Sequence, residues 1–131
     1  MEARPSRMLS VVVPVYNEEQ NIRPLHARLT EALAPLENRY ELEVLFTDNR
    51  SEDNTFGVLA ELAEQDPRIR VIRFSRNFGF QRSILTGLLN ARGDAIVQID
   101  ADLQDPPELI VDFVRKWEEG FDVVYGIRVG R

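Results

Sequence analysis

The chain has 131 residues, enough for one domain with its own core, and its 44% apolar and 29% charged residues are the balance of an ordinary globular protein. The absence of cysteine excludes disulfides, thiolate metal sites and a cysteine nucleophile, and a single histidine, His26, excludes a multi-histidine metal site. A formal charge of −6 argues against general nucleic-acid binding, and no apolar run approaches the ~20 residues that a membrane helix needs.

Leu9 to Val15 is a dense β-branched run and predicts the first strand. Ile22, Leu25, Leu29, Leu33 and Leu36 recur at helical spacing, with Pro24 tolerated in a first turn near Asn21 and Pro35 at the end. Glu41 to Phe46 predicts a second strand. Phe56, Leu59, Leu62 and Ala63 mark a second helix closed by Asp66-Pro67. Ile69 to Phe74 predicts a third strand, and Ile84, Leu85, Leu88 and Ala91 a third helix ended by Arg92-Gly93. Asp94 to Ile99 predicts a fourth strand. Asp105-Pro106-Pro107-Glu108 has the form of a helix start, with Leu109, Phe113 and Trp117 facing inward and Gly120 as the stop. Phe121 to Tyr125 predicts a fifth strand. This alternation predicts an α/β fold: a doubly wound, mainly parallel sheet of about five strands with helices on both faces.

In such a sheet the strand-to-helix loops gather at the carboxyl edge, where ligands bind. There the chain places Pro14, Tyr16, Asn17 and Glu18, then Asp48 to Asp53, then Arg76 to Gly79, then Asp100 to Asp105. Asp100 and Asp102 are two carboxylates at the end of a buried strand, and they repel unless a positive charge sits between them. A divalent cation answers that repulsion. Carboxylates with a side-chain amide, here Gln104, suit Mg²⁺ or Mn²⁺, which commonly complete their shells with phosphate oxygens. The same spacing also suits two solvated turn residues. Arg76 is a candidate phosphate contact, while Asp53 and Asp105 suit helix N-caps.

Motifs separate this chain from other α/β folds. A dinucleotide-binding fold needs G-x-G-x-x-G after the first strand, where this chain has Pro14 to Glu19, and no G-x-x-x-x-G-K-[ST] occurs. A phosphoacceptor receiver domain is a nearer rival. It needs acids after strand one, an aspartate after strand three and a lysine after strand five; here those places hold Asn17-Glu18, Ser75-Arg76 and Ile127-Arg128.

Val11 to Glu18, Phe46 to Asp53, Phe74 to Gly79, Ile99 to Glu108 and Val123 to Arg128, taken in order, closely resemble the family 2 inverting glycosyltransferases of the GT-A fold. Within that family the chain looks most like the polyprenyl-phosphate sugar transferases, the dolichyl-phosphate mannose synthase and bactoprenol glucosyltransferase types. The resemblance implies a nucleotide-sugar-binding half with Pro14, Tyr16 and Glu18 lining the nucleoside pocket and Asp48 on the base or ribose. It implies Mg²⁺ or Mn²⁺ at Asp100, Asp102 and Gln104, and an acceptor phosphate held by Arg128, with Arg131 as a further candidate. The donor would be a UDP- or GDP-linked sugar, the acceptor a polyprenyl phosphate, and the place of action the cytosolic face of a membrane. One departure stands at strand two, where the family's Asp-Asp-Gly-Ser is Asp48-Asn49-Arg50-Ser51. Family members also continue past Arg131, so the resemblance implies that these residues are one domain, the donor half of a longer protein. The alternative is a module that binds nucleotide sugar without transferring it. An exposed sheet edge leaves self-association open.

Overall fold

The computed structural model describes residues 7–127. Four strands, β1 (Met8–Val15), β2 (Glu41–Asp48), β3 (Ile69–Arg73) and β4 (Ala95–Gln98), form one sheet in the order β3-β2-β1-β4. All neighbours are parallel, with Val13 opposite Phe46 and Val11 opposite Val97. Four helices connect and follow them: α1 (Glu19–Leu33), α2 (Thr55–Gln65), α3 (Phe80–Asn90) and α4 (Leu109–Glu118). α1 ends just before Pro35, the residue that marks its end in the sequence, and a 3-10 turn over Ala34–Leu36 follows it.

The apolar core lies on one face. Leu9, Val11, Val13 and Val15 of β1 and Leu42, Val44 and Phe46 of β2 meet Ile22, Leu25 and Leu29 of α1, Leu59 and Leu62 of α2, and Ile110 and Val114 of α4. Among the described residues the opposite face carries α3 alone, so helices do cover both faces. β1 is buried on both sides, which is why it reads as a continuous apolar run rather than an alternating one.

α3 packs on β1 and β2 through its small residues. Ser83 Oγ lies 2.8 Å from Thr47 Oγ1, and Gly87 sits where any Cβ would collide with Val12 Cγ1. Its larger side chains, Leu85, Leu88 and Leu89, are exposed. At the amino edge of this face the Glu43 carboxylate is buried. It accepts hydrogen bonds from Ser10 Oγ (2.5 Å), the Arg92 amide (2.6 Å) and Arg70 Nη1 (2.6 Å). Burial pushes its pKa up, but these three donors outweigh that and hold it below its ordinary value.

α1 starts at Glu19 rather than near Asn21, which puts Pro24 inside the helix instead of in its first turn. Two further expectations change. The inward stripe of α4 is Ile110 and Val114 rather than Leu109 and Phe113, because the helix docks on α1 and β4 along that line; Leu109 is 39% exposed. Trp117 keeps an anchoring role, with its ring 6.1 Å from that of Tyr40. The second change is that Phe121 to Tyr125 forms no strand, so the described sheet has four strands rather than five. A strand needs a ladder partner and a face to bury, and among the described residues this segment has neither: Val123 and Tyr125 are 79% and 77% exposed. No helix among the described residues is long and apolar enough to cross a membrane.

The turn into β3 is tied by Asp66. Its Oδ1 accepts from the Arg68 amide and Arg68 Nε, and its Oδ2 from Arg68 Nη2, each at 3.0 Å; Oδ2 also lies 3.0 Å from His26 Nε2. The Arg68 fork holds the Asp66 carboxyl well below the usual carboxylate range. A depressed carboxylate stabilises the fold above its unfolded pKa, and that contribution is lost as pH falls through the folded value. Asp66→Asn is therefore expected to cost about 2 kcal/mol near neutrality. The deficit shrinks below about pH 4, read as urea midpoints of mutant and wild type that converge in acid. Gly87→Val is expected to cost about 1–3 kcal/mol by forcing α3 off β1, seen as a lower urea midpoint at unchanged slope.

Candidate nucleotide-sugar site

The order of the strands decides where a crevice opens. The chain runs β1, β2, β3 to one side and then crosses back to place β4 on the other side of β1. The switch point therefore lies between the carboxyl ends of β1 and β4. A cavity of about 390 Å³ opens there, within the ~300–1,000 Å³ common for small-molecule sites. Pro14 lines it from the end of β1, Tyr16 and Glu18 from the loop that follows, and Asp100 and Asp102 from the segment after β4.

Pro14 is allowed by the ladder's geometry. Val12 O accepts from Ile99 N, so the backbone groups of Val12 face β4, and with a period of two those of Pro14 face the same side. The β1–β4 ladder has ended by then, at Val12 opposite Gln98. The missing N–H of Pro14 therefore costs no sheet hydrogen bond and opens onto the crevice.

The first two loops are stitched by side chains. Asn17 takes a left-handed conformation, φ 53°, which asparagine tolerates. Its amide donates to Ser51 Oγ (2.9 Å), and its Oδ1 accepts from the Glu52 amide (2.8 Å). Ser51 Oγ in turn donates to Asp48 Oδ1 (2.6 Å), and the Glu18 amide donates to Thr55 Oγ1 (2.9 Å). Asp53 caps α2, not as the N-cap residue but from one position earlier, through Thr55 N at 2.9 Å. Arg50 also adopts a positive φ, 64°, at a position where glycine would carry no Cβ penalty.

The candidate residues do not all meet. Asp48 is fully buried behind the cavity and does not line it. Its Oδ2 has no hydrogen-bond donor among the described residues and lies 3.5 Å from Arg73 Nε. Arg76 is outside the lining, with its guanidinium 4.6 Å from the Phe78 ring centroid. Gln104 is exposed and also outside the lining, joined to the metal candidates only through its backbone N–H, which donates to Asp102 Oδ1 at 3.1 Å. Arg128 and Arg131 lie outside the described residues. The cavity also includes Asn49, Asn77, Phe80 and Ser83, which the sequence marks only as loop or helix residues.

The donor set fits a cation that brings most of its own shell. Among the described residues no cluster of three carboxylate, histidine or cysteine ligands exists. Asp100 accepts from Gln98 Nε2 through Oδ1 and Asp102 from Gln104 N through Oδ1. The second oxygen of each takes no protein hydrogen bond among the described residues, and both side chains line one cavity. Two hard oxygens with open positions suit Mg²⁺ or Mn²⁺ shared with phosphate.

The chain belongs to glycosyl transferase family 2, whose sequence profile matches residues 10–131. It is 50% identical over 122 residues to a Bacillus subtilis (strain 168) protein named uncharacterized glycosyltransferase YkcC, covering 93% of this chain and 37% of that one. It is 41% identical over 123 residues to an Escherichia coli (strain K12) protein named prophage bactoprenol glucosyl transferase homolog, covering 94% and 40%. The chain thus spans about two fifths of these relatives. Its fold matches the mannosyltransferase PcManGT from Pyrobaculum calidifontis, solved in complex with GDP-Man and Mn²⁺, at a TM-score of 0.70 and 27% identity, over 85% of this chain and 32% of that one.

Ser51 is the joint between the first two loops. Ser51→Ala is expected to cost about 1–2 kcal/mol, because it removes the acceptor of the Asn17 amide and a donor to buried Asp48. The check is the urea midpoint, with Ser51→Thr retaining most of the stability.

Proposed function

We propose that this chain is the donor-binding part of a metal-dependent inverting glycosyltransferase. The donor is a UDP- or GDP-linked sugar and the acceptor a polyprenyl phosphate. The observation that carries this reading is the meeting of Tyr16 and Glu18 with Asp100 and Asp102 in one cavity at the switch point. The name of the Escherichia coli relative supports the acceptor class, and the ligands in the Pyrobaculum calidifontis structure support a nucleotide sugar with a divalent metal.

Tyr16, 39% exposed at the rim, offers a ring face to the nucleoside. Glu18 offers acceptors for hydroxyls, while Asp48, buried behind the cavity, supports the loop through Ser51 instead of touching the nucleoside. Asp100 and Asp102 would hold Mg²⁺ or Mn²⁺, with Gln104 as a further ligand only once its exposed side chain turns inward; the ion would supply charge neutralisation on the leaving diphosphate. The acceptor's phosphate oxygen attacks the anomeric carbon opposite the diphosphate. A C–O bond forms on one face as the bond to the diphosphate oxygen breaks on the other, and the electron pair leaves with the nucleoside diphosphate. A phosphate is already an anion and needs no general base. It needs a cation to place it, the role of Arg128 in this reading. A lipid-linked acceptor places the reaction at a membrane surface, at its cytosolic face.

Calorimetric titration of UDP-glucose, UDP and GDP-mannose, with Mn²⁺ and with EDTA, tests the donor site. Binding is expected with Mn²⁺. Chelation or Asp102→Asn should weaken it by tenfold or more, about 1.4 kcal/mol. Equal affinity with and without metal, or in the mutant, would overturn the assignment of Asp102.

A further inference from the structure

We propose that Asn49 positions the β3–α3 loop as a wall of the donor cavity, and that in this chain it does so as a neutral amide that donates to Asn77. Asn49 is 5% exposed and sits at the end of β2, yet both ends of its side chain reach the next loop. The Phe78 amide donates to Asn49 Oδ1 at 2.8 Å, and the Gly79 amide donates to Asn77 Oδ1 at 2.8 Å. A backbone N–H can only donate, so both side-chain oxygens are assigned by their partners. Asn49 Nδ2 therefore faces Asn77 Oδ1, at 2.8 Å, as donor to acceptor.

The clamp fixes the start of α3. Gly79, at φ 95°, is the residue before the helix, and Phe80 and Ser83 of its first turn line the cavity with Asn49 and Asn77. A carboxylate at position 49 could still accept from Phe78 but could not donate to Asn77. Two acceptors would then stand at hydrogen-bond distance. Turning the Asn77 amide to relieve them would break the bond from Gly79, so at most one of the two backbone bonds survives. A carboxylate at position 77 has no such conflict, because it accepts from both Asn49 Nδ2 and the Gly79 amide.

This asymmetry is the test. Asn49→Asp and Asn77→Asp each add one negative charge to the same wall, but only the first reverses a donor. NMR amide exchange is expected to rise at least threefold at Phe78 or Gly79 in Asn49→Asp and to stay within twofold of wild type in Asn77→Asp. Binding of UDP-glucose or GDP-mannose with Mn²⁺, whichever the wild type takes, should weaken about tenfold in the first mutant and less than threefold in the second. Equal effects of the two substitutions on exchange would overturn the proposal. If Asn49→Asp does not fold, Asn49→Ala tests the clamp itself, since alanine removes both bonds: exchange at Phe78 should still rise at least threefold, and no rise would overturn the proposal. The binding arm rests on the donor-site reading. A wild type that binds neither nucleotide sugar would count against that reading, while amide exchange would still decide the clamp.

Discussion

The rest of the structure depends on the placement of β1. Like β2 it has a parallel neighbour on each side, but the chain winds in opposite directions on its two sides, to β2 and to β4, and it carries apolar side chains on both faces. A parallel strand cannot be joined to its neighbour by a tight turn, so each connection crosses over and every strand-to-helix loop lands at the same edge. Because β4 returns to the far side of β1, two loops diverge at that edge instead of packing together. The cavity is the gap between them, and Pro14 stands at its mouth on the side where the ladder has already ended.

The loops around that gap are held by polar side chains. Asn17, Ser51 and Asp48 tie the first loop to the second, and Asn49 with Asn77 ties the second to the third. Directional bonds of this kind hold backbone that apolar contacts alone would leave free to slide. They also support conformations that cost energy locally: Asn17, Arg50 and Leu103 are the described non-glycine residues with positive φ, and all three lie in these carboxyl-edge segments. Strain of this sort persists where surrounding bonds over-determine the chain.

The two faces of the sheet divide the work. One carries the apolar core beneath α1, α2 and α4 and supplies the hydrophobic stabilisation. The other carries α3 on small and polar contacts, Gly87 on Val12 and Ser83 on Thr47, with the Ser10–Glu43–Arg70 network at the amino edge. The close approach at Gly87 brings the start of α3 near the cavity, so Phe80 and Ser83 become part of its lining.

Most of the fold was legible in the sequence, because apolar period and loop chemistry are local. The first four strands, the first three helices and the Gly120 stop follow from patterns within a few residues of each other. The co-location of Tyr16, Glu18, Asp100 and Asp102 follows once the parallel α/β pattern is read, since topology carries their loops to one edge. Other features were decided only in three dimensions. Leu109, Phe113 and Trp117 repeat as well as Ile110 and Val114 do, and only the docking of α4 on the core selects the inward stripe. Phe121 to Tyr125 has strand composition but no partner among the described residues, and a strand exists only as part of a ladder. Asp48 and Arg76 sit in the right loops, but side-chain direction put one behind the cavity and the other on Phe78. Asn49 reads as a neutral substitution in one loop; its function as a clamp depends on Asn77 and Phe78, 28 and 29 residues away, which the strand order brings beside it.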